Sequence, residues 1–233
     1  MEKVNGKNFY VIIMAAGSGT RMGVSTPKQF LEVAGKPILR HTIERFILAF
    51  PDARIVTVLP KEYVGYWKDY CIRSCFHHPQ IVISGGITRF HSVKNALSRV
   101  PDGAVVAIHD GVRPLVSVDL LRKMYAMMVD NRAVIPVVPM VDTLKVLARD
   151  ESGALVLQKG ATADRSVIFG AQTPQFFRAE DIRDAYSQAY DTSFTDDASV
   201  AAGKNIPLTF IEGERYNIKV TTPQDLEVLK LLL

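Results

Sequence analysis

Short, near-continuously apolar runs rich in β-branched residues recur along the chain at Phe9–Met14, Arg54–Leu59, Gln80–Ser84, Ala104–His109 and Ala133–Val137. Between them, apolar residues fall at helical spacing. One set is Ile38, Ile43, Phe46, Ile47 and Phe50, a second Val93, Ala96, Leu97 and Val100, and a third Leu120, Leu121, Met124, Met127 and Met128. Strands that are apolar on both parities must be covered on both faces, and the intervening helices supply the cover. The pattern predicts a Rossmann-like α/β fold of three layers, a mostly parallel sheet between two layers of helices.

The rhythm breaks after Pro136. Two β-like runs, Thr143–Arg149 and Ala154–Lys159, flank the turn-forming Asp150-Glu151-Ser152-Gly153 and predict a hairpin with a long return. A lone hairpin is marginal in water and needs a partner surface. Residues 139–172 are therefore expected to form a protruding β-arm, packed against a second subunit or back on the parent domain. The alternation then resumes with a helix near Ala179–Tyr190 and a strand over Leu208–Glu212. Thr222 and Pro223 form an N-cap and first-turn pair that opens the last helix. Without repeats or low-complexity linkers, residues 1–233 read as one domain with an arm.

Composition adds limits rather than direction. The 233 residues are 48% hydrophobic and 22% charged, with a formal net charge of +4. Lys and Arg are scattered, so no nucleic-acid stripe is expected. No apolar run approaches the roughly 20 residues of a membrane helix, and the opening MEKVNGKNFY lacks a signal-peptide core. Cys71 and Cys75 make no disulfide framework, which points to a reducing cytoplasm. Their spacing of one helical turn suits packing, and with His77 and His78 it matches no standard zinc spacing. His41 falls on a helix and receives no role.

Candidate chemistry begins where the first strand ends. The chain continues Ala15-Ala16-Gly17-Ser18-Gly19-Thr20-Arg21-Met22-Gly23, then Pro27-Lys28-Gln29-Phe30. Small residues after a buried strand let backbone N–H groups approach an anion, and the carboxyl ends of parallel strands are where open sheets bind ligands. The third glycine is one residue late for the dinucleotide fingerprint, and Val24 after Gly23 rules out the nucleotide-triphosphatase loop. A glycine-rich turn without a ligand is the plain alternative. Arg21 and Lys28 beside backbone donors favour a polyphosphate. Asp110 follows the apolar run Ala104–Ile108 and is placed at the same sheet edge, facing the loop. Magnesium takes carboxylate and phosphate oxygens and keeps waters, so Asp110 is the candidate metal contact, with a turn or cap aspartate as its alternative.

The A-A-G-S-G-T-R-M-G and P-K-Q-F segments resemble the opening signature of the nucleotide-sugar pyrophosphorylase superfamily. Within it the chain is most similar to the 2-C-methyl-D-erythritol 4-phosphate cytidylyltransferase family. Further matches run in order: Gly85-Gly86-Ile87-Thr88-Arg89-Phe90-His91-Ser92-Val93, His109-Asp110-Gly111-Val112-Arg113-Pro114, Asp142-Thr143-Leu144-Lys145, Asp164-Arg165, Gln172-Thr173-Pro174-Gln175, Thr195-Asp196-Asp197-Ala198-Ser199 and Asn217-Ile218-Lys219-Val220-Thr221.

The resemblance implies attack of a polyol phosphate oxygen on the α-phosphorus of CTP, with Mg2+ as cofactor and a homodimer joined through the arm. It implies catalytic roles for Arg21, Lys28, Arg165 and Lys219. It assigns the nucleotide to Ala15, Ala16, Gly17, Gly19, Gly85, Gly86, Ser92 and Asp110. The polyol phosphate falls to Arg113, Thr143, Arg165, Thr173, Thr195 and Lys219, with Arg165 serving the partner's site. Arg89 equally fits a structural arginine pinning its loop. Because family members often carry an acidic residue in place of Ile87 or His91, those two positions receive little weight. A ribitol-5-phosphate cytidylyltransferase is the nearest alternative, although that paralogue more often opens A-G-G. An NAD-dependent oxidoreductase is more remote.

Overall fold

The computed structural model describes residues 8–17, 26–158, 160 and 163–233. Its strands and helices, in chain order, are β1 (Phe9–Met14), β2 (Glu32–Val33), β3 (Lys36–Pro37), α1 (Ile38–Ala49), β4 (Arg54–Leu59), α2 (Val64–Arg73) and β5 (Gln80–Ser84). They continue with α3 (Arg89–Leu97), β6 (Val105–Asp110), α4 (Val118–Met127), β7 (Ala133–Pro139), β8 (Leu147–Arg149) and β9 (Leu155–Leu157). The remainder are β10 (Phe169–Ala171), β11 (Gln175–Arg178), α5 (Ala179–Ala185), α6 (Asp197–Ala202), β12 (Thr209–Glu212) and α7 (Pro223–Leu232).

β1 lies at the centre, parallel to β4 on one side and β6 on the other, with β5 parallel to β4 at the edge. The apolar runs explain this position. Phe9, Val11 and Ile13 enter one core with Phe46, Trp67, Leu121 and Met124, while Tyr10 and Ile12 enter the other with Val93, Leu97, Ile182 and Tyr186. A strand whose alternate residues are buried on opposite faces has no solvent side. Truncating one such fully buried aromatic, Phe46→Ala, is expected to cost about 3–5 kcal/mol. A third, smaller cluster of Val33, Ile38, Val112, Val220 and Leu229 seats the C-terminal helix. Thr222 caps that helix by accepting from the Asp225 N–H, and Pro223 occupies its first turn.

The second half departs from pure alternation. β11 runs antiparallel between β6 and β7, and β10 pairs antiparallel with β7, so the long return of the hairpin re-enters the main sheet. β12 restores a parallel pairing with β7. The helix expected over Ala179–Tyr190 stops at Ala185. Ser187 Oγ donates to the Asp184 carbonyl and Gln188 Nε2 to that of Ala185, so side chains take backbone acceptors that a longer helix would use.

β8 and β9 form a separate two-stranded hairpin. Its turn is held by Asp150 Oδ1, which accepts from the N–H groups of Ser152 and Ala154, and Gly153 takes φ +83°. Among the described residues no helix is long and apolar enough to cross a membrane.

Candidate nucleotide site

The carboxyl ends of β1 and β6 lie side by side, with Met14 paired to Asp110. That register places the chain leaving β1 directly beside the Asp110 carboxylate. A cavity of about 540 Å³ opens there. Its walls include Ala15, Ala16, Gly17, Lys28, Gly86 and Ser92 from the nucleotide-type motifs, with Asp110 and Lys219 opposite. Lys28, Arg89 and Lys219 set three cations against one carboxylate among these lining side chains, an electrostatic lining suited to an anion. Gly19 and Arg21 lie outside the described residues.

Close backbone packing makes the glycines specific. A Cβ on Gly85 would stand 2.6 Å from the Ala16 Cβ, and one on Gly86 would stand 2.6 Å from the His91 Cβ. The strand-end loops after β1 and β5 are thereby pressed together with no room for side chains. Ser92 fastens the second loop: its Oγ accepts from the Gly86 N–H at 2.9 Å and donates to the Thr88 carbonyl at 2.9 Å. Gln29, a buried residue of the P-K-Q-F segment, donates from Nε2 to the Ala15 carbonyl at 2.8 Å. Within the P-K-Q-F motif Gln29 carries no role legible from sequence. Its position directly after Lys28 was the available signal.

Asp110 is buried, and its Oδ2 meets Lys219 Nζ at 2.9 Å and Arg113 Nε at 3.4 Å. Burial alone would raise its carboxyl, but the charges of Lys219, Arg89 and Arg113 outweigh it and hold the group well below the usual carboxylate range. The site thus presents a permanent carboxylate. Burial draws the Arg113 guanidinium down from its ordinary value, opposed by Asp110. Arg113 also donates to the Asn217 carbonyl at 2.7 Å, which ties the Lys219 segment to the Asp110 turn.

Behind Asp110 lies a polar layer that the sequence did not reveal. Thr173 Oγ1 accepts from the Asp110 N–H at 3.0 Å and lies 3.1 Å from His109 Nδ1. Nε2 of His109 lies 3.0 Å from the Arg113 carbonyl, which can only accept, so that nitrogen carries the proton. Burial depresses His109 to about 4, and the ring is neutral. Asn217 Nδ2 donates to the Thr173 carbonyl at 2.8 Å, and Gln172 Nε2 to that of Glu214 at 2.8 Å.

The other polyol-phosphate candidates are not gathered into this cavity. Thr143 and Thr195 are exposed away from its walls. Arg165 is exposed at the foot of the arm, its guanidinium donating to the Val141 carbonyl at 2.9 Å. Arg89 lines the cavity and forms a two-pronged ion pair with the buried Asp197, at 2.8 and 2.5 Å. Cys71 lies on α2, half-buried beside Gln80, whereas Cys75 lies beyond the helix end, exposed with φ +52°. The two cysteines therefore do not share the helical face that their spacing suggested, because the chain reverses at Cys75.

Known proteins are similar to this chain along nearly its whole length. A protein of Bacteroides thetaiotaomicron named 2-C-methyl-D-erythritol 4-phosphate cytidylyltransferase is 44% identical over 223 residues, covering 96% of this chain and 98% of that protein. The protein of the same name from Porphyromonas gingivalis W83 is 45% identical over 225 residues, covering 96% and 97%. The crystal structure of the Francisella tularensis 2-C-methyl-D-erythritol 4-phosphate cytidylyltransferase superposes with a TM-score of 0.78 at 31% identity, covering 97% of this chain and all of that one. The sequence profile of IspD, the 2-C-methyl-D-erythritol 4-phosphate cytidylyltransferase, matches residues 9–233. A cation-lined cavity at the ends of β1 and β6, full-length similarity and the shared fold together establish that this chain belongs to the 2-C-methyl-D-erythritol 4-phosphate cytidylyltransferase family.

Proposed function

We propose that this chain transfers the CMP moiety of CTP to 2-C-methyl-D-erythritol 4-phosphate in the isoprenoid pathway. A phosphate oxygen of the acceptor attacks the α-phosphorus, the α–β bridging bond breaks, and pyrophosphate leaves. The product is 4-diphosphocytidyl-2-C-methyl-D-erythritol. The observation that carries this reading is the Asp110–Lys219 pair at 2.9 Å, facing the loop after β1 across a cavity whose cations outnumber its carboxylates.

Phosphoryl-type transfer asks a protein mainly to align anions and to neutralise charge in the transition state. Lys28 and Arg21, with Gly17 and Gly19 of the same loop, take the triphosphate, while Ala15, Ala16, Gly85, Gly86 and Ser92 hold cytidine against backbone donors. Lys219 neutralises charge where the two substrates meet, kept in place by Asp110. Arg113 and Thr173 support that pair from behind and border the acceptor.

Magnesium fits as a cation liganded mostly by nucleotide phosphates and water. A single ionised carboxylate faces the cavity, and the described residues hold no cluster of three or more His, Cys, Asp or Glu side chains that could cage a metal. Asp110 would hold it, and the ion would offset phosphate charge.

The acceptor side is completed by a second copy of the chain. Support comes from the arm, where Leu147, Leu155, Val156 and Leu157 are all exposed, and from the exposure of Thr143 and Arg165 away from the cavity walls. In this reading Arg165 and Thr143 reach the partner's cavity. Two free cysteines suit a reducing cytoplasm.

The test is pyrophosphate release by purified protein with each of the four nucleoside triphosphates, paired with methylerythritol phosphate or ribitol 5-phosphate. Turnover is expected only with CTP and fastest with methylerythritol phosphate. Faster turnover of ribitol 5-phosphate would reassign the acceptor.

A further inference from the structure

Arg89 opens α3 at the nucleotide side of the cavity, and Asp197 opens α6, 108 residues later. Their contact is two-pronged, from Nη1 to Oδ1 at 2.8 Å and from Nη2 to Oδ2 at 2.5 Å. Asp197 has no exposed surface, and its Oδ1 also accepts from the Tyr186 hydroxyl at 2.5 Å. A fork-to-fork pair fixes direction as well as distance, which one lysine or one hydrogen bond cannot do.

Each partner is anchored to a different part of the site. Arg89 follows Thr88, whose hydroxyl caps α3 and whose carbonyl receives Ser92, and Ser92 Oγ accepts from the Gly86 N–H, so the start of α3 is joined to the Gly85–Gly86 loop. Asp197 follows Asp196, which caps α6 and whose Oδ2 accepts from Gln175 Nε2 at 2.8 Å. Oε1 of Gln175 accepts from the Ala198 N–H at 2.7 Å. Gln175 is the register partner of Ile108, two residues before Asp110. The α6 N-terminus, with Thr195 just ahead of it, is thereby seated at the sheet edge that carries Asp110.

We propose that Arg89 and Asp197 are a positioning pair that holds the nucleotide loop after β5 and the Thr195–Asp196 segment in register. Neither residue is a catalytic residue. Asp197 takes one N–H from each Nη of Arg89, so the pair fixes the direction in which the guanidinium lies along the cavity wall. The inference deepens the cytidylyltransferase reading and rests on it, since Thr195 belongs to the acceptor side only in that reading.

Asp197→Asn keeps the shape and removes the charge, and Arg89→Lys keeps the charge and removes the fork. Each variant is assayed by pyrophosphate release with both substrates titrated, alongside circular dichroism and a thermal melt. In folded variants the KM values for CTP and for methylerythritol phosphate are expected to rise together, and kcat to fall roughly tenfold to a hundredfold, the scale of a small misalignment of reacting groups. Asp197→Glu is expected to recover part of that loss.

If Asp197→Asn does not fold, Arg89→Lys decides alone. Lower melting temperature with all three constants within twofold of the parent would overturn the proposal in favour of a purely structural pair. A rise confined to the CTP KM would overturn it as well, since the pair would then serve one loop only. Failure of the unsubstituted protein to release pyrophosphate would instead overturn the functional reading.

Discussion

Asp110 and Arg165 are both charged residues assigned to one reaction, yet their surroundings differ in kind. Asp110 is buried, paired with Lys219 and Arg113, and backed by Thr173, His109 and Asn217. Arg165 is exposed and donates to one backbone carbonyl of its own arm. The floor of the cavity is held within one chain by the buried hydrogen bonds around Asp110, which leave only Asn217 Oδ1 unpaired among the residues just named. The arm is a two-stranded hairpin with exposed leucines, the kind of element that is stable only when another surface covers it. In the function proposed above, the nucleotide side is finished within one chain and the acceptor side is left unfinished.

The sharpest test of the finished side is Lys28→Ala. Loss of one preorganised cation at the transferring phosphate is expected to lower kcat about a hundredfold to a thousandfold. Unchanged pyrophosphate release would remove Lys28 from the chemistry.

The unfinished side can be broken by mixing. Arg165→Ala and Lys28→Ala chains are each expected to be inactive alone. In a symmetric dimer, random exchange makes half the molecules heterodimers with one intact site, so activity should return to roughly a quarter of the parent. No recovery after exchange confirmed by mass would argue that Arg165 serves its own chain.

Acid separates the regions next. In an unfolded chain His109 would titrate near 6.5, and in the fold it titrates at about 4. The fold favours the neutral ring, so its stabilisation is complete above about 6.5 and is lost as pH falls toward 4. The difference is worth on the order of 3 kcal/mol. Urea melts at pH 7 and pH 5 should record this loss, and His109→Gln should flatten it. A parent protein equally stable at both pH values would contradict the buried neutral imidazole. Asp110 works the other way, with its stabilisation kept above about 3.8 and lost only as pH falls below that.

Gly153→Ala should be the mildest. The residue takes φ +83° in open space, so the substitution strains the arm turn by about 1 kcal/mol without a clash. Turnover at saturating substrate should persist, while the protein concentration needed for dimerisation rises. A large loss of kcat would mean that the arm turn contributes to the site directly.

Where a residue's role depends on its immediate neighbours, the sequence was sufficient. Continuous apolar runs placed β1, β4 and β5 to the residue, because a doubly covered strand tolerates few polar side chains. The Thr222–Pro223 start of α7 was equally readable, since a cap acts over three residues. By contrast, β10 and β11 were not legible. They are short, and their pairing with β7 and β6 depends on partners 30 to 70 residues away. The same distance hid His109, Gln175 and Asn217, whose polar side chains acquire partners only when the sheet edge is assembled.

By itself, the sequence determined the mostly parallel sheet, the small residues after β1, and Lys28, Asp110 and Lys219 as the charges that meet there. Backbone periodicity and residue chemistry are local properties. Tertiary structure decided that Asp110 is locked to Lys219, that Arg89 is held by Asp197, and that Arg165 stands away from the cavity. Those facts depend on which charges are buried together, and burial is a property of the whole fold.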